Sequence, residues 1–130
     1  MFAKNIIIAT GSEANIIPGV IADEERICTN VGALNLKTLP KSLTVIGAGV
    51  IGLELGSVYA RMGTHVTVVG NGNHIANGVD TEISKLFLET LKAQGIDFVL
   101  GNRVQGVVRN GDVVDVTVKS KEGVEKVITS

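Results

Sequence analysis

Apolar residues along this chain change period several times. Asn5 to Ala9 (Asn-Ile-Ile-Ile-Ala) is a continuous apolar run closed by Thr10-Gly11-Ser12, the pattern of a strand buried on both faces. Residues 13 to 40 hold no sustained period. Pro18-Gly19 marks a turn, and Thr29 to Leu36 has room for one short helix capped by Thr29 or Asn30. Leu43 to Ile46 is a second buried-type strand. From Val50 to Met62 the period becomes helical, with Ile51, Leu55, Val58 and Met62 on one face and Gly63 as the stop. His65 to Val69 is a third strand. Strand, tight turn, helix and strand thus follow one another, the order of a parallel pair joined by a right-handed crossover.

Residues 70 to 79 form a loop with three glycines and three asparagines. Asp80 is placed to cap the next helix, with Glu82 in its first turn and Ile83, Leu86, Phe87 and Leu91 as its apolar face. Gly95 ends it, and Asp97 to Leu100 is a fourth strand. Beyond that the chain becomes β-rich. Val104–Arg109, Asp112–Lys119 and Val124–Thr129 are separated by short turns, and Asn110-Gly111 has the composition of a type I′ hairpin. The fold expected is therefore a three-layer α/β, Rossmann-like dinucleotide-binding domain. Its parallel sheet has about four strands, including Asn5 to Ala9, and a three-stranded antiparallel meander covers one face.

The turn between the second strand and the first long helix carries the chemistry. Gly47-Ala48-Gly49-Val50-Ile51-Gly52 fits G-x-G-x-x-G, and it follows a strand and opens a helix, the context that gives the pattern meaning. Gly47 permits the sharp turn. Gly49, lacking a Cβ, lets a pyrophosphate approach the backbone, and Gly52 lets the helix lie close to the strand. The helix N-terminus adds unpaired N–H groups and about half a positive charge.

A carboxylate for the ribose 2′-hydroxyl normally ends the next strand. Here that position is Gly70, and no Asp, Glu, Lys or Arg lies from Met62 to Val79. Asn71 or Asn73 offers only a neutral hydrogen bond, so affinity is expected to fall about tenfold and the choice between NAD and NADP to blur.

Composition narrows the field further. The 130 residues carry 12 Lys and Arg against 13 Asp and Glu, and aromatics are 3%. Neither a basic surface nor stacking platforms for nucleic acid are indicated. No run approaches the roughly 20 apolar residues of a membrane helix. The single cysteine, Cys28, excludes an internal disulfide and reads as a spectator thiol. His65 and His74 lack partners at metal-ligand spacing, so no metal site is expected.

Residues 47 to 58, Gly-Ala-Gly-Val-Ile-Gly-Leu-Glu-Leu-Gly-Ser-Val, resemble the nucleotide turn and helix of the dihydrolipoamide dehydrogenases, within the flavin-dependent disulfide reductases. Asn5 to Glu13 is similar to the strand and Ala-Thr-Gly segment that closes that family's first flavin section. Ile17-Pro18-Gly19, Gly32-Ala33-Leu34, Asp80 to Lys85 and the meander also resemble it. The resemblance implies residues 1–14 as the end of a first FAD-binding section, 15–42 as a crossover, and 43–130 as an NAD-binding domain truncated before its last strand.

It also implies roles. Gly47, Ala48, Gly49, Val50, Ile51, Gly52, Leu53 and Glu54 match the NAD phosphate turn, with Glu54 near the nicotinamide. Gly70 stands where the family has its ribose acid, and Val104 matches a backbone contact to adenine. Thr10, Gly11 and Ser12 match an FAD contact.

The full enzyme implied oxidises dihydrolipoamide through a disulfide and FAD to NAD. It is a homodimer within 2-oxoacid dehydrogenase complexes, in a bacterial cytoplasm or mitochondrial matrix. This chain, with one cysteine and no Cys-x4-Cys pair, is expected to be inactive alone, with no catalytic residue of its own, and to self-associate through exposed edges. A segment of another flavin disulfide reductase or NADH oxidase, or a stand-alone nucleotide-binding or interaction module, is the alternative.

Overall fold

A computed structural model describes residues 2–130. The strand–helix–strand unit is present where the pattern places it. β1 (Ser42–Ile46) leads through the glycine turn into α2 (Val50–Arg61) and returns as β2 (His65–Val69), in parallel register from Ser42↔His65 to Ile46↔Val69. The short α1 (Asn30–Leu34) precedes β1, and the Thr29 hydroxyl accepts the Val31 N–H. Gly63, at φ +99°, closes α2 in the left-handed region that favours glycine. α3 (Thr81–Ala93) starts at Asp80, whose carboxylate accepts the N–H groups of Glu82 and Ile83. β3 (Asp97–Val99) then adds beside β2, so the sheet order is β1-β2-β3.

β4 (Asn102–Asn110), β5 (Val113–Ser120) and β6 (Glu125–Thr129) form the antiparallel meander. Strand alternation divides the core between the two faces of the parallel sheet. Val66 and Val68 point to the helical side and pack with Leu53, Tyr59, Ile75, Leu91 and Ile96. Val69, Ile46 and Val99 point to the other side, where Val114, Val116 and Val118 of β5 cover them. Helices, parallel sheet and meander are the three layers expected.

Four expectations are corrected. Residues 5–9 form no strand and lie open, with Ile6, Ile7 and Ile8 at 78%, 91% and 84% exposure, so the parallel sheet has three strands. A strand apolar on both faces needs a neighbour and a cover on each side, and none of the described residues provides them. The α2 stripe of Ile51, Leu55, Val58 and Met62 is not the inward face. Leu53, Gly56 and Tyr59 are buried, whereas Ile51, Val58 and Met62 are exposed. In α3 the buried positions are Ser84 and Leu91, with Leu88 beside them, while Ile83 and Leu86 face outward. The Ser84 hydroxyl donates to the Ile75 carbonyl at 2.8 Å, which satisfies its polar group inside the core. The hairpin turn is Gly111-Asp112, not Asn110-Gly111. Its positive φ falls on Gly111 alone, the type II′ rather than I′ pattern.

The crossover is anchored by a contact that no local pattern announces. The Asp23 carboxylate accepts N–H groups of Glu25, Arg26 and Ile27 at 2.9, 2.8 and 2.9 Å, and Arg109 of β4 donates to its second oxygen at 2.8 Å. The Ile27 N–H foremost, then that of Glu25, hold the carboxyl far below the usual carboxylate range, against the opposing effect of burial; Arg26 and Arg109 add to the lowering. A depressed folded-state pKa stabilises above the unfolded value and is lost as pH falls through the folded one. Asp23→Asn is therefore expected to be less stable than wild type at neutral pH. The gap should narrow as pH drops below about 4, which urea denaturation across a pH series would show.

Candidate functional site

The glycine turn stands at the C-terminal ends of the parallel strands, where open α/β sheets bind ligands. Gly47 sits at φ +113°, outside the range most side chains accept, and its N–H donates to the Val69 carbonyl at 2.8 Å, extending the β1–β2 ladder by one residue. Ala48 is pinned from the opposite side, its carbonyl accepting the Ala76 N–H at 2.8 Å, with Ile75 and Ala76 both buried. The loop after β2 thus braces the turn.

Gly49 is the N-cap of α2, with extended backbone and no side-chain cap. A Cβ built there meets no heavy atom within 4 Å. The space above it is open, and the first N–H groups of α2, which have no partner within a helix, point toward it. At Gly52 a Cβ would come 2.6 Å from the Gly47 carbonyl oxygen and 3.0 Å from Val45 Cγ1. One glycine therefore leaves room for a ligand, and the other lets helix and strand touch. Leu53 is buried beneath the turn, while Val50, Ile51 and Glu54 are exposed at its rim. Glu54 lies just past the first turn of α2, not within it.

Gly70 ends β2 in a buried position. Its N–H donates to the Val99 carbonyl, and its own carbonyl accepts the Asn102 N–H, both at 3.0 Å. A Cβ there would meet Leu100 Cδ2 at 3.0 Å and Ala48 Cβ at 3.1 Å. A side chain at this position would therefore need Leu100 or Ala48 to give way by a few tenths of an ångström. Val104 is half-buried in β4 beside the irregularity between Val104 and Gly106, and it packs in the meander core.

Residues 47–54 and Gly70 are brought together at one end of the sheet, with the start of β4 hydrogen-bonded to Gly70. Thr10, Gly11 and Ser12 are not part of this assembly. They are exposed, in irregular backbone. Cys28 is half-buried, and burial foremost, then the charges of Glu24 and Asp23, push its thiol pKa up, which disfavours the reactive thiolate.

The chain matches known proteins over nearly its whole length. The family described as pyridine nucleotide-disulphide oxidoreductase matches residues 1–129. The mitochondrial dihydrolipoyl dehydrogenase of Pisum sativum is 49% identical over 125 residues, covering 96% of this chain and 25% of that protein. Its counterpart in Dictyostelium discoideum is 52% identical over 117 residues, covering 89% of this chain and 24% of its own length. Among solved structures, LpdA from Mycobacterium tuberculosis superposes with a TM-score of 0.79 at 31% identity, over 91% of this chain and 25% of that one. The chain spans about a quarter of the length of the curated relatives it matches.

Proposed function

The chain belongs to the pyridine nucleotide-disulphide oxidoreductase family, and on that premise we propose that it is the NAD(H)-binding segment of a dihydrolipoyl dehydrogenase. The observation that carries this reading is the open space above Gly49 at the head of α2, next to a helix–strand contact that only Gly52 permits. The pyrophosphate would lie on the N–H groups of the turn, the adenosine toward Gly70 and Val104, and the nicotinamide toward Glu54. In the longer protein, dihydrolipoamide would reduce a disulfide, and FAD would pass the electrons on as hydride to NAD.

We assign residues 1–14 to the end of a first FAD-binding section, 15–42 to the crossover and 43–130 to the nucleotide domain. Thr10, Gly11 and Ser12, exposed and apart from the other elements, do not form an FAD pocket by themselves. With one cysteine the chain cannot close the disulfide that the reaction needs. The partners we propose for the longer protein are a second identical subunit and a 2-oxoacid dehydrogenase complex. The compartment is a mitochondrial matrix or a bacterial cytoplasm, the pea relative being named mitochondrial and LpdA coming from a bacterium.

Titration calorimetry with NADH tests the reading. Binding is expected, weakened by about tenfold for want of an acid at Gly70. Absence of heat and of competition by 5′-AMP would refute it. The purified chain is expected to show neither flavin colour nor dihydrolipoamide oxidation, checked by absorbance and by NADH formation. The exposed stripe of Ile51, Val58 and Met62, with Ile83 and Leu86 of α3, supports self-association of the isolated chain. Sedimentation velocity over a concentration series would then show a rising mean mass, and a constant monomer would contradict it.

A further inference from the structure

Two residues other than glycine hold a positive φ among the described residues, Glu24 at +57° and Ala76 at +50°. Glu24 is exposed. Ala76 is buried and lies against the glycine turn, its N–H donating to the Ala48 carbonyl at 2.8 Å. A side chain disfavours left-handed backbone, so such a residue persists only where its surroundings hold it. Here three features do so. Ala76 belongs to the core that includes Leu53 and Leu91. Its carbonyl accepts the Val79 N–H at 3.1 Å, closing a turn in which Gly78 stands at φ +95°. The preceding carbonyl, that of Ile75, accepts the hydroxyl of Ser84 in α3 at 2.8 Å, and both residues are buried.

The loop before α3, and α3 itself, thus fix the direction of one N–H. A trans peptide is planar, and its C=O and N–H point opposite ways. The Ala48 carbonyl and the Gly49 N–H belong to one such unit, and no described peptide bond is cis. With the carbonyl turned inward onto buried Ala76, the Gly49 N–H is turned outward, into the open space at the head of α2. A flip of this unit would present an oxygen, not a donor, to a pyrophosphate. Glycine accepts φ of either sign, so Gly49, at φ −82°, offers little resistance of its own to that flip. The hydrogen bond from Ala76 is what opposes it.

We propose that Ala76 is a positioning residue of the dinucleotide site. Its N–H, presented from a left-handed backbone that Ser84 helps to hold, keeps the Ala48–Gly49 peptide with its donor toward the pyrophosphate. This assignment rests on the dinucleotide reading of the turn and adds the group that keeps the turn competent to bind.

Calorimetric titration with NADH, joined to NMR of the Gly49 amide, tests it on the chain and its variants. Ala76→Val stays apolar but strongly disfavours a positive φ, whereas Ala76→Gly keeps both the N–H and that φ. In the wild-type chain NADH is expected to shift the Gly49 amide proton. Ala76→Val should bind NADH about tenfold more weakly, as for the loss of one charge-assisted hydrogen bond, with the Gly49 shift much reduced at saturation. Ala76→Gly should bind as wild type does, whatever stability it loses with the buried methyl. Should Ala76→Val not fold, Ser84→Ala frees the Ile75 carbonyl with Ala76 in place, and the same two losses are expected there, only smaller. Wild-type affinity and an unchanged Gly49 shift in a folded Ala76→Val or Ser84→Ala, or an equal loss in Ala76→Gly, would overturn the positioning role and leave the dinucleotide reading standing. NADH that neither binds the wild-type chain nor shifts Gly49 would remove both.

Discussion

Gly52→Ala is expected to damage fold and binding together, while Gly49→Ala damages binding alone. At position 52 the new methyl would sit 2.6 Å from the Gly47 carbonyl oxygen, a backbone atom, and 3.0 Å from Val45 Cγ1. No side-chain rotation relieves the first contact. Either α2 lifts from β1 or the turn opens, and overpacking of this kind costs about 1–3 kcal/mol. Opening the turn also disperses the N–H groups that would hold a pyrophosphate. At position 49 the methyl meets nothing within 4 Å, and the extended backbone suits alanine. Stability should stay within about 0.5 kcal/mol of wild type. Yet the methyl occupies the space a phosphate would use, so dinucleotide affinity should fall by about tenfold or more, as for the loss of a charge-assisted hydrogen bond. Urea denaturation and titration with NADH on both variants read the two effects separately. A Gly49→Ala variant that binds NADH as wild type would place the phosphates elsewhere.

The legible part of this fold lies where local chemistry and tertiary structure agree. Gly47 and Gly52 each answer a backbone constraint within six residues, the one a positive φ and the other a close approach of helix to strand, so their spacing announces the β1–α2–β2 unit. Asp80 and Gly63 mark helix ends for equally local reasons, a carboxylate on two N–H groups and a left-handed φ. Illegible features depend on what is far away in sequence. Whether Asn5 to Ala9 becomes a strand depends on neighbours its own apolar pattern cannot supply. The Asp23–Arg109 contact spans 86 residues.

The faces of α2 show most plainly how pattern and packing separate, and here Leu53→Ala should cost far more than Ile51→Ala. By side-chain size the helix offers one strong stripe, Ile51, Leu55, Val58 and Met62. The face laid on the sheet is instead Leu53, Gly56 and Tyr59, with Gly52 and Ala60 beside it. Small residues let the helix axis come close to β1 and β2, as at Gly56, where a Cβ would lie 3.4 Å from Val66 Cγ1. Close approach seals Leu53 at 1% exposure, while Ile51 stands at 56%. A helix apolar nearly all round satisfies one cover with the sheet and leaves the other face for a second. Truncating Leu53 empties space bounded by two strands that cannot collapse into it, which places the loss at about 2–5 kcal/mol. Truncating Ile51 removes atoms already in water, for a change of about 0.5 kcal/mol or less. Thermal unfolding of the dilute chain should therefore drop on the order of 10 °C for Leu53→Ala and hardly move for Ile51→Ala. The reverse order would turn α2 over, put the aliphatic stripe against the sheet, and withdraw the exposed surface on which self-association rests.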